Sequence, residues 1–114
     1  MKGKRGVGAV GEEQAAQFLR AHGVAIVEKN FLTKLGEVDL VCKDKQEIVF
    51  VEVKYRKNNV YGTAVEAVTP KKVSRLVAAG SVWLRKNNLT QAPWRLDVVA
   101  IDGSEIQWLK NFGS

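Results

Sequence analysis

The segment that most constrains the fold is the apolar run Ile48–Tyr55, which two charged side chains interrupt. Its β-branched and aromatic content predicts a strand, in which successive side chains point to opposite faces. Glu52 and Lys54 therefore share a face with Phe50. Because a buried charge is costly unless it is paired or ligated, these two charged positions are the first candidates for a functional site.

A second predicted strand, Leu35–Cys42, precedes this run, and the polar residues 43–47 between them predict a turn. The two strands are expected to form an antiparallel hairpin. We take as a working register that Cys42 pairs with Val49. A shift of one residue would turn every side chain of the second strand to the other face.

In that register Asp39 lies opposite Glu52, and Glu37 lies opposite Lys54. Opposed side chains lie about 4.5–5.5 Å apart at Cβ, so the two carboxylates would repel each other without a cation. Magnesium suits such a pair, because it binds through one or two carboxylates and keeps several waters. The alternative for Lys54 is an ion pair with Glu37 or Glu52 at a strand end.

The remaining patterns predict the element order α-β-β-β-α-β-β, which implies one α/β domain over residues 1–114, with a central mixed sheet flanked by helices. Residues 1–8 are expected to be a flexible basic arm. Thr69-Pro70 predicts a helix start, and Gly23 predicts a helix end. The other predicted elements are a helix over 10–22, a strand over 24–31, a helix from 70 to about 87, and strands over 95–101 and 105–109.

Glu12 lies on the core-facing stripe of the first predicted helix, with Ala15, Ala16 and Leu19. An acid on that stripe predicts a third carboxylate directed at the sheet. The alternative is that Glu12 belongs to the first helical turn and only stabilises the helix dipole.

The charge balance is basic, with 18 Lys+Arg against 12 Asp+Glu and a net charge of +6. Such an excess favours a polyanionic partner such as nucleic acid, although a basic surface without a partner is the alternative. The candidate phosphate contacts are Arg56, Lys57, Lys72 and Arg75. For Lys72 and Arg75, a solvated helix face is the alternative.

Cys42 is the only cysteine in the chain, so no intramolecular disulfide can form. This fits a reducing compartment, and its apolar neighbours predict a packing residue. One cysteine and one histidine make zinc an unsuitable metal. The sequence shows neither a signal-peptide pattern nor an apolar stretch of membrane-spanning length, so a cytoplasmic protein without a membrane partner is expected. Arg95 and Asp97 are expected to form an ion pair or to support the sheet edge.

Asp39, followed thirteen positions later by Glu52-Val53-Lys54, resembles the PD-(D/E)xK nuclease motif. From about Gly8 to Leu109 the chain also resembles the YraN family of small bacterial proteins, whose restriction-endonuclease-like fold is similar to that of archaeal Holliday-junction resolvases. The blocks that carry this resemblance include Gly36–Leu40, Phe50–Lys54, Arg56, Tyr61-Gly62, Lys72 and Arg95–Val99.

The resemblance implies a metal-dependent DNA endonuclease that hydrolyses phosphodiester bonds, with branched or structured DNA as a candidate substrate. Asp39, Glu52 and the Val53 carbonyl would bind Mg²⁺ or Mn²⁺. Lys54 would be the catalytic lysine, and Glu12 would match the first-helix glutamate of the resolvase-like enzymes. By analogy with the resolvases, a homodimer is also compatible with the family.

Two other functions remain open at this stage. The first is a nucleic-acid-binding or adaptor module that keeps the nuclease fold without turnover, and the second is a structural partner of another protein. The variant Glu52→Gln separates catalysis from binding, because it should abolish cleavage in a nuclease and leave DNA binding largely intact.

Overall fold

The computed structural model describes residues 7–58 and 60–113, with side chains from residue 10 onward. Most of the predicted basic arm, residues 1–6, lies outside the described residues. The elements are α1 (Val7–Ala21), β1 (Ala25–Leu32), β2 (Glu37–Asp44), β3 (Glu47–Arg56), a 3-10 helix (Val65–Ala67), α2 (Pro70–Lys86), β4 (Trp94–Asp102) and β5 (Glu105–Leu109). This is the predicted order with one addition, the short 3-10 helix between β3 and α2.

The five strands form one sheet in chain order, β1-β2-β3-β4-β5. All neighbouring strands are antiparallel except β3 and β4, which run parallel. A parallel pair needs a long crossover connection, and the segment that contains α2 provides it. The sheet is therefore mixed, as the sequence predicts. β1 and β3 both end at the same end of the sheet, which is also the end where β2 begins.

The two helices cover opposite faces of the sheet. α1 places Ala15, Ala16 and Leu19 in one core cluster with alternate residues of β2 and β3. α2 places Leu76, Ala79 and Trp83 in a second cluster, around Phe50. Burying a leucine such as Leu19 or Leu76 stabilises the fold by about 1.5–3 kcal/mol, so helix burial on both faces is a main force that holds the layers together.

Local sequence signals set the start of α2 and the end of α1, as predicted. The Thr69 hydroxyl accepts a hydrogen bond from the Lys72 amide at 3.2 Å, and Pro70 occupies the first turn of α2. α1 ends at Ala21, two residues before Gly23, whose φ of 87° lies in the left-handed region that glycine adopts without strain. The Val24 amide then donates back to the Leu19 carbonyl at 3.0 Å. Both predictions are confirmed.

The start of α1 differs from the prediction. The helix begins at Val7 instead of residue 10, and its first turn holds no acidic residue. The interpretation of Glu12 as a first-turn acid is therefore wrong, because nearly one more turn of backbone precedes it. Glu12 is instead buried, with 6% of its surface exposed.

β2 also begins later than predicted, at Glu37 instead of Leu35. The amides of Leu35 and Gly36 donate to the Thr33 hydroxyl, so these two residues belong to a turn. Among the described residues, neither helix is long and apolar enough to span a membrane.

Candidate active site

The register between β2 and β3 defines the candidate site. Cys42 pairs with Val49, as the sequence analysis assumes, and the ladder extends from Asp44–Glu47 to Leu40–Val51. Asp39 and Glu52 are the residues immediately beyond its last pair. β2 continues to Glu37 through its pairing with β1 alone.

The expected backbone pairs Asp39–Glu52 and Glu37–Lys54 are not part of this ladder. The physical reason is a side-chain contact: Oδ2 of Asp39 accepts the hydrogen bond of the Val53 amide at 2.8 Å. A carboxylate thus takes the donor that a continuing ladder would use, and the backbone pairing of the two strands ends here. We call this end of the ladder, at Asp39 and Val53, the opening.

Asp39 is buried, with 2% of its surface exposed. Its bond to a backbone amide holds the carboxylate beside β3, and such a charge-assisted bond is stronger than a neutral one. The amide and carbonyl of a strand residue point to the same side of the strand, so the Val53 carbonyl also faces the opening beside Asp39. Two oxygen groups that the resemblance assigns to a metal therefore face the same opening.

Glu52 and Lys54 are half-buried, and both lie in the part of β3 that pairs with β4. Glu52 points toward α2, where it lines a narrow crevice with Lys72 and with apolar residues of α2 and β4. The crevice is too narrow to admit a water molecule. Glu52 and Lys72 are therefore brought together, which no local sequence spacing indicates.

Glu12 approaches the sheet from the other face. Its neighbour Gly11 lies so close to β3 that an added Cβ would be 2.9 Å from the Cβ of Tyr55. α1 thus crosses β3 next to Lys54, just beyond the end of the β2–β3 ladder. Glu12 belongs to α1 and Glu52 faces α2, and these helices cover different faces, so the two glutamates approach the sheet from opposite sides.

The four predicted phosphate-binding residues are exposed at this end of the sheet. Arg56 and Lys57 stand at the end of β3, and Lys72 and Arg75 lie in the first turns of α2. Their common location follows from chain direction, because β3 ends where the connection to α2 begins.

The described part of the chain contains no cluster of three or more His, Cys, Asp or Glu side chains with metal-binding geometry. The groups that could hold a metal here are the Asp39 and Glu52 carboxylates and the Val53 carbonyl, with water completing its coordination. That donor set is compatible with Mg²⁺, which needs few protein ligands, and incompatible with a closed structural zinc site.

A second charged cluster lies at the opposite end of the sheet. The Arg95 guanidinium donates to Asp97 at 3.0 Å, to Glu47 at 2.8 Å and to Asp44 at 2.9 Å. Burial alone would lower the pKa of Arg95, but the hydrogen bonds to Asp97, Asp44 and Glu47 outweigh it and raise that pKa. The ion pair expected between Arg95 and Asp97 is confirmed. The sequence analysis does not predict the other two partners of Arg95, which are Asp44 and Glu47 in the β2–β3 hairpin.

An open cavity of about 660 Å³ lies beside this second cluster, lined in part by Arg95, Trp108 and His22. None of the sequence-predicted site residues lines it. This cavity and the candidate active site are therefore at opposite ends of the sheet.

Cys42 is fully buried in the cluster beneath α1. Burial raises the pKa of its thiol to about 12, and the charge of Asp97 acts in the same direction. A thiol of this kind is inert at neutral pH, which confirms that Cys42 is a packing residue.

Comparison with known proteins gives the family. A UPF0102 protein of Vibrio vulnificus is 45% identical over 112 residues, which cover 95% of this chain and 92% of that protein. One of Photobacterium profundum is 46% identical over 112 residues, 95% of this chain and 90% of its own length. One of Herminiimonas arsenicoxydans is 44% identical over 105 residues, 92% and 84% of the two chains. The profile described as "Uncharacterised protein family UPF0102" matches residues 11–101. The chain therefore belongs to the UPF0102 family, which confirms the resemblance to YraN.

Proposed function

We propose that this protein is a metal-dependent nuclease that hydrolyses phosphodiester bonds in DNA. The observation that carries the proposal is the end of the β2–β3 ladder, where the buried Asp39 carboxylate is bonded to the Val53 amide at 2.8 Å. Glu52 and Lys54 flank Val53 on β3. The spacing of the PD-(D/E)xK motif thus coincides with a local opening of the sheet.

Asp39, Glu52 and the Val53 carbonyl would hold one or two Mg²⁺ or Mn²⁺ ions at this opening. When bound, such an ion lowers the pKa of a coordinated water and offsets charge that develops on the phosphate. The Asp39 carboxylate is already fixed by its hydrogen bond to β3, so its orientation does not have to be set when a ligand binds.

Lys54 lies two residues beyond Glu52 on the same strand face, where its ammonium would contact the phosphate under attack. Glu12 would orient the attacking water from the α1 side. Arg56, Lys57, Lys72 and Arg75 would bind the flanking phosphates, since all four are exposed at this end of the sheet. Phosphate contacts carry no sequence information, so selectivity would depend on DNA shape, with branched or structured DNA as the candidate substrate.

The decisive experiment is a Mg²⁺ and Mn²⁺ titration by calorimetry and NMR, on the wild type and on Asp39→Asn and Glu52→Gln. We expect saturable binding in the wild type and its loss in both variants. Glu105→Gln is the matched control, because Glu105 is an exposed acid of β5 outside the site. Cleavage of duplex, branched and single-stranded DNA is then followed with the same proteins. No metal binding in the wild type, even with DNA present, would refute the nuclease proposal.

One observation favours a second candidate, a DNA-binding module without turnover. The crevice beside Glu52 is too narrow to admit a water molecule, and Lys72 lines it. If Glu52 has only this packing role, the wild type does not cleave DNA. Glu52→Gln then leaves DNA binding unchanged.

A further inference from the structure

The turn between β1 and β2 is held in one conformation by the side chain of Thr33. Its hydroxyl accepts hydrogen bonds from the amides of Leu35 and Gly36 at 3.0 and 3.1 Å and donates to the Gly36 carbonyl at 2.9 Å. The Thr33 amide donates to the same carbonyl at 2.8 Å. These four bonds make residues 33–36 a preformed turn.

This turn exposes two leucines to solvent. Leu32 is 75% exposed and Leu35 is 55% exposed, with the exposed Lys34 between them. Single exposed apolar residues are common on protein surfaces and need no explanation. Here two exposed leucines lie three positions apart, on either side of an exposed lysine and on or next to a locked turn; we call this segment the leucine turn (residues 32–36).

The leucine turn is packed against the start of α2, near the candidate active site. A Cβ on Gly36 would lie 2.5 Å from the Arg75 carbonyl oxygen, so the turn and the helix touch through their backbones. Arg75 is one helical turn from Lys72, which lines the crevice beside Glu52. The leucine turn therefore adjoins the surface on which the proposed function places the DNA.

The charges around the leucine turn favour a polyanion. Lys34, Lys72 and Arg75 are exposed, and the structure shows no ion pair for them with any residue in 10–58 or 60–113. Apolar side chains that project from a basic surface can pack against the faces of unstacked bases, whereas an intact base stack must first be unstacked at a free-energy cost.

We propose that Leu32 and Leu35 contact unstacked bases, while Lys34, Lys72 and Arg75 bind the neighbouring phosphates. The substrate class is then DNA in which base stacking is interrupted, by unpaired bases or at a junction, and not an uninterrupted duplex. This inference rests on the proposed function for the location of the DNA, but it concerns binding and not turnover.

The test is fluorescence anisotropy in EDTA with a labelled, fully paired duplex and with the same duplex carrying an internal loop of unpaired bases. We expect the wild type to bind the looped duplex about tenfold more tightly, which is the scale of burying one leucine. In the double variant Leu32→Ser/Leu35→Ser, the ratio of the two affinities, looped over paired duplex, should fall close to one. The affinity for the paired duplex should not change. Lys72→Gln/Arg75→Gln should weaken binding of both DNAs equally.

Val27→Ser is the matched control, because Val27 is a similarly exposed apolar residue of β1 outside the leucine turn. Thermal melts establish that each variant is folded. A wild type without preference, or a double variant that keeps it, would overturn the inference. Cleavage in Mg²⁺ is measured separately. Leucine-dependent binding without cleavage would refute only the nuclease proposal. Cleavage together with binding that does not depend on the leucines would refute only this inference.

Discussion

Asp97 is the polar side chain whose removal we expect to destabilise the fold most. It has no exposed surface and accepts hydrogen bonds from the Arg95 guanidinium, from the Trp108 indole at 2.9 Å and from the Asn111 amide at 2.9 Å. Through Arg95 it is linked to Asp44 and Glu47 in the β2–β3 hairpin. One carboxylate therefore connects β4, β5 and that hairpin.

Asp97→Ala leaves the Trp108 and Asn111 donors without their partner, at a cost of about 1–3 kcal/mol each. Arg95 keeps Asp44 and Glu47, so its charge is still balanced, and the desolvation cost of the carboxylate is relieved. We expect a net loss of about 3 kcal/mol, which corresponds to a fall in Tm of about 10 °C for a chain of this size.

Urea denaturation followed by tryptophan fluorescence measures this loss directly. The control is Glu47→Gln, since Glu47 is the most exposed partner of Arg95 and should contribute less than about 1 kcal/mol. If Asp97→Ala loses no more than Glu47→Gln, the argument that buried Asp97 organises this end of the sheet is refuted.

Two further predictions concern the core. Gly80→Ala would place a Cβ 2.8 Å from the Phe50 ring, so we expect a loss of about 1–3 kcal/mol despite the better helix propensity of alanine. In chemical denaturation, the double variant Gly80→Ala/Phe50→Leu should lose less stability than the sum of the two single variants. If the two losses simply add, the contact between position 80 and the Phe50 ring is contradicted. The second prediction concerns pH. Burial raises the pKa of Cys42 to about 12, above the value of about 8.5 in an unfolded chain, so the folded state keeps this proton longer. The stability contributed by the neutral thiol is complete below about pH 8.5 and is lost as pH rises toward 12. The advantage of wild type over Cys42→Ala in unfolding free energy should therefore shrink by about 2 kcal/mol between about pH 8 and pH 10, and a constant difference would contradict the buried thiol.

The position of Asp39 explains why the proposed site lies where it does. A continuous β2–β3 ladder would satisfy the Val53 amide by backbone pairing and would leave no gap between the strands. The Asp39 carboxylate satisfies that amide from a side chain instead, so both strands remain ordered while the sheet opens. The Asp39 carboxylate and the Val53 carbonyl therefore face each other at the end of the ladder, and the buried Val53 amide is not left unsatisfied.

Several features of this protein could be derived from the sequence alone. The alternation within Ile48–Tyr55 predicts β3 and the shared face of Glu52 and Lys54. Thr69-Pro70 and Gly23 mark helix ends, and the buried stripe of α1 includes Glu12 as predicted. These features depend on periodicity and backbone preference over a few residues, so a linear pattern contains them. The family could likewise be recognised from the sequence motifs, and the comparisons confirm it.

Only the tertiary structure decided where the ladder ends, which faces Glu12 and Glu52 approach, and how the leucine turn meets α2. The same holds for Arg95, whose partners Asp44 and Glu47 lie 51 and 48 positions away along the chain. Each of these features depends on contacts between segments that the chain brings together only when it folds. Local propensity sets the conformation of a segment, but such contacts depend on the packing of all the elements at once.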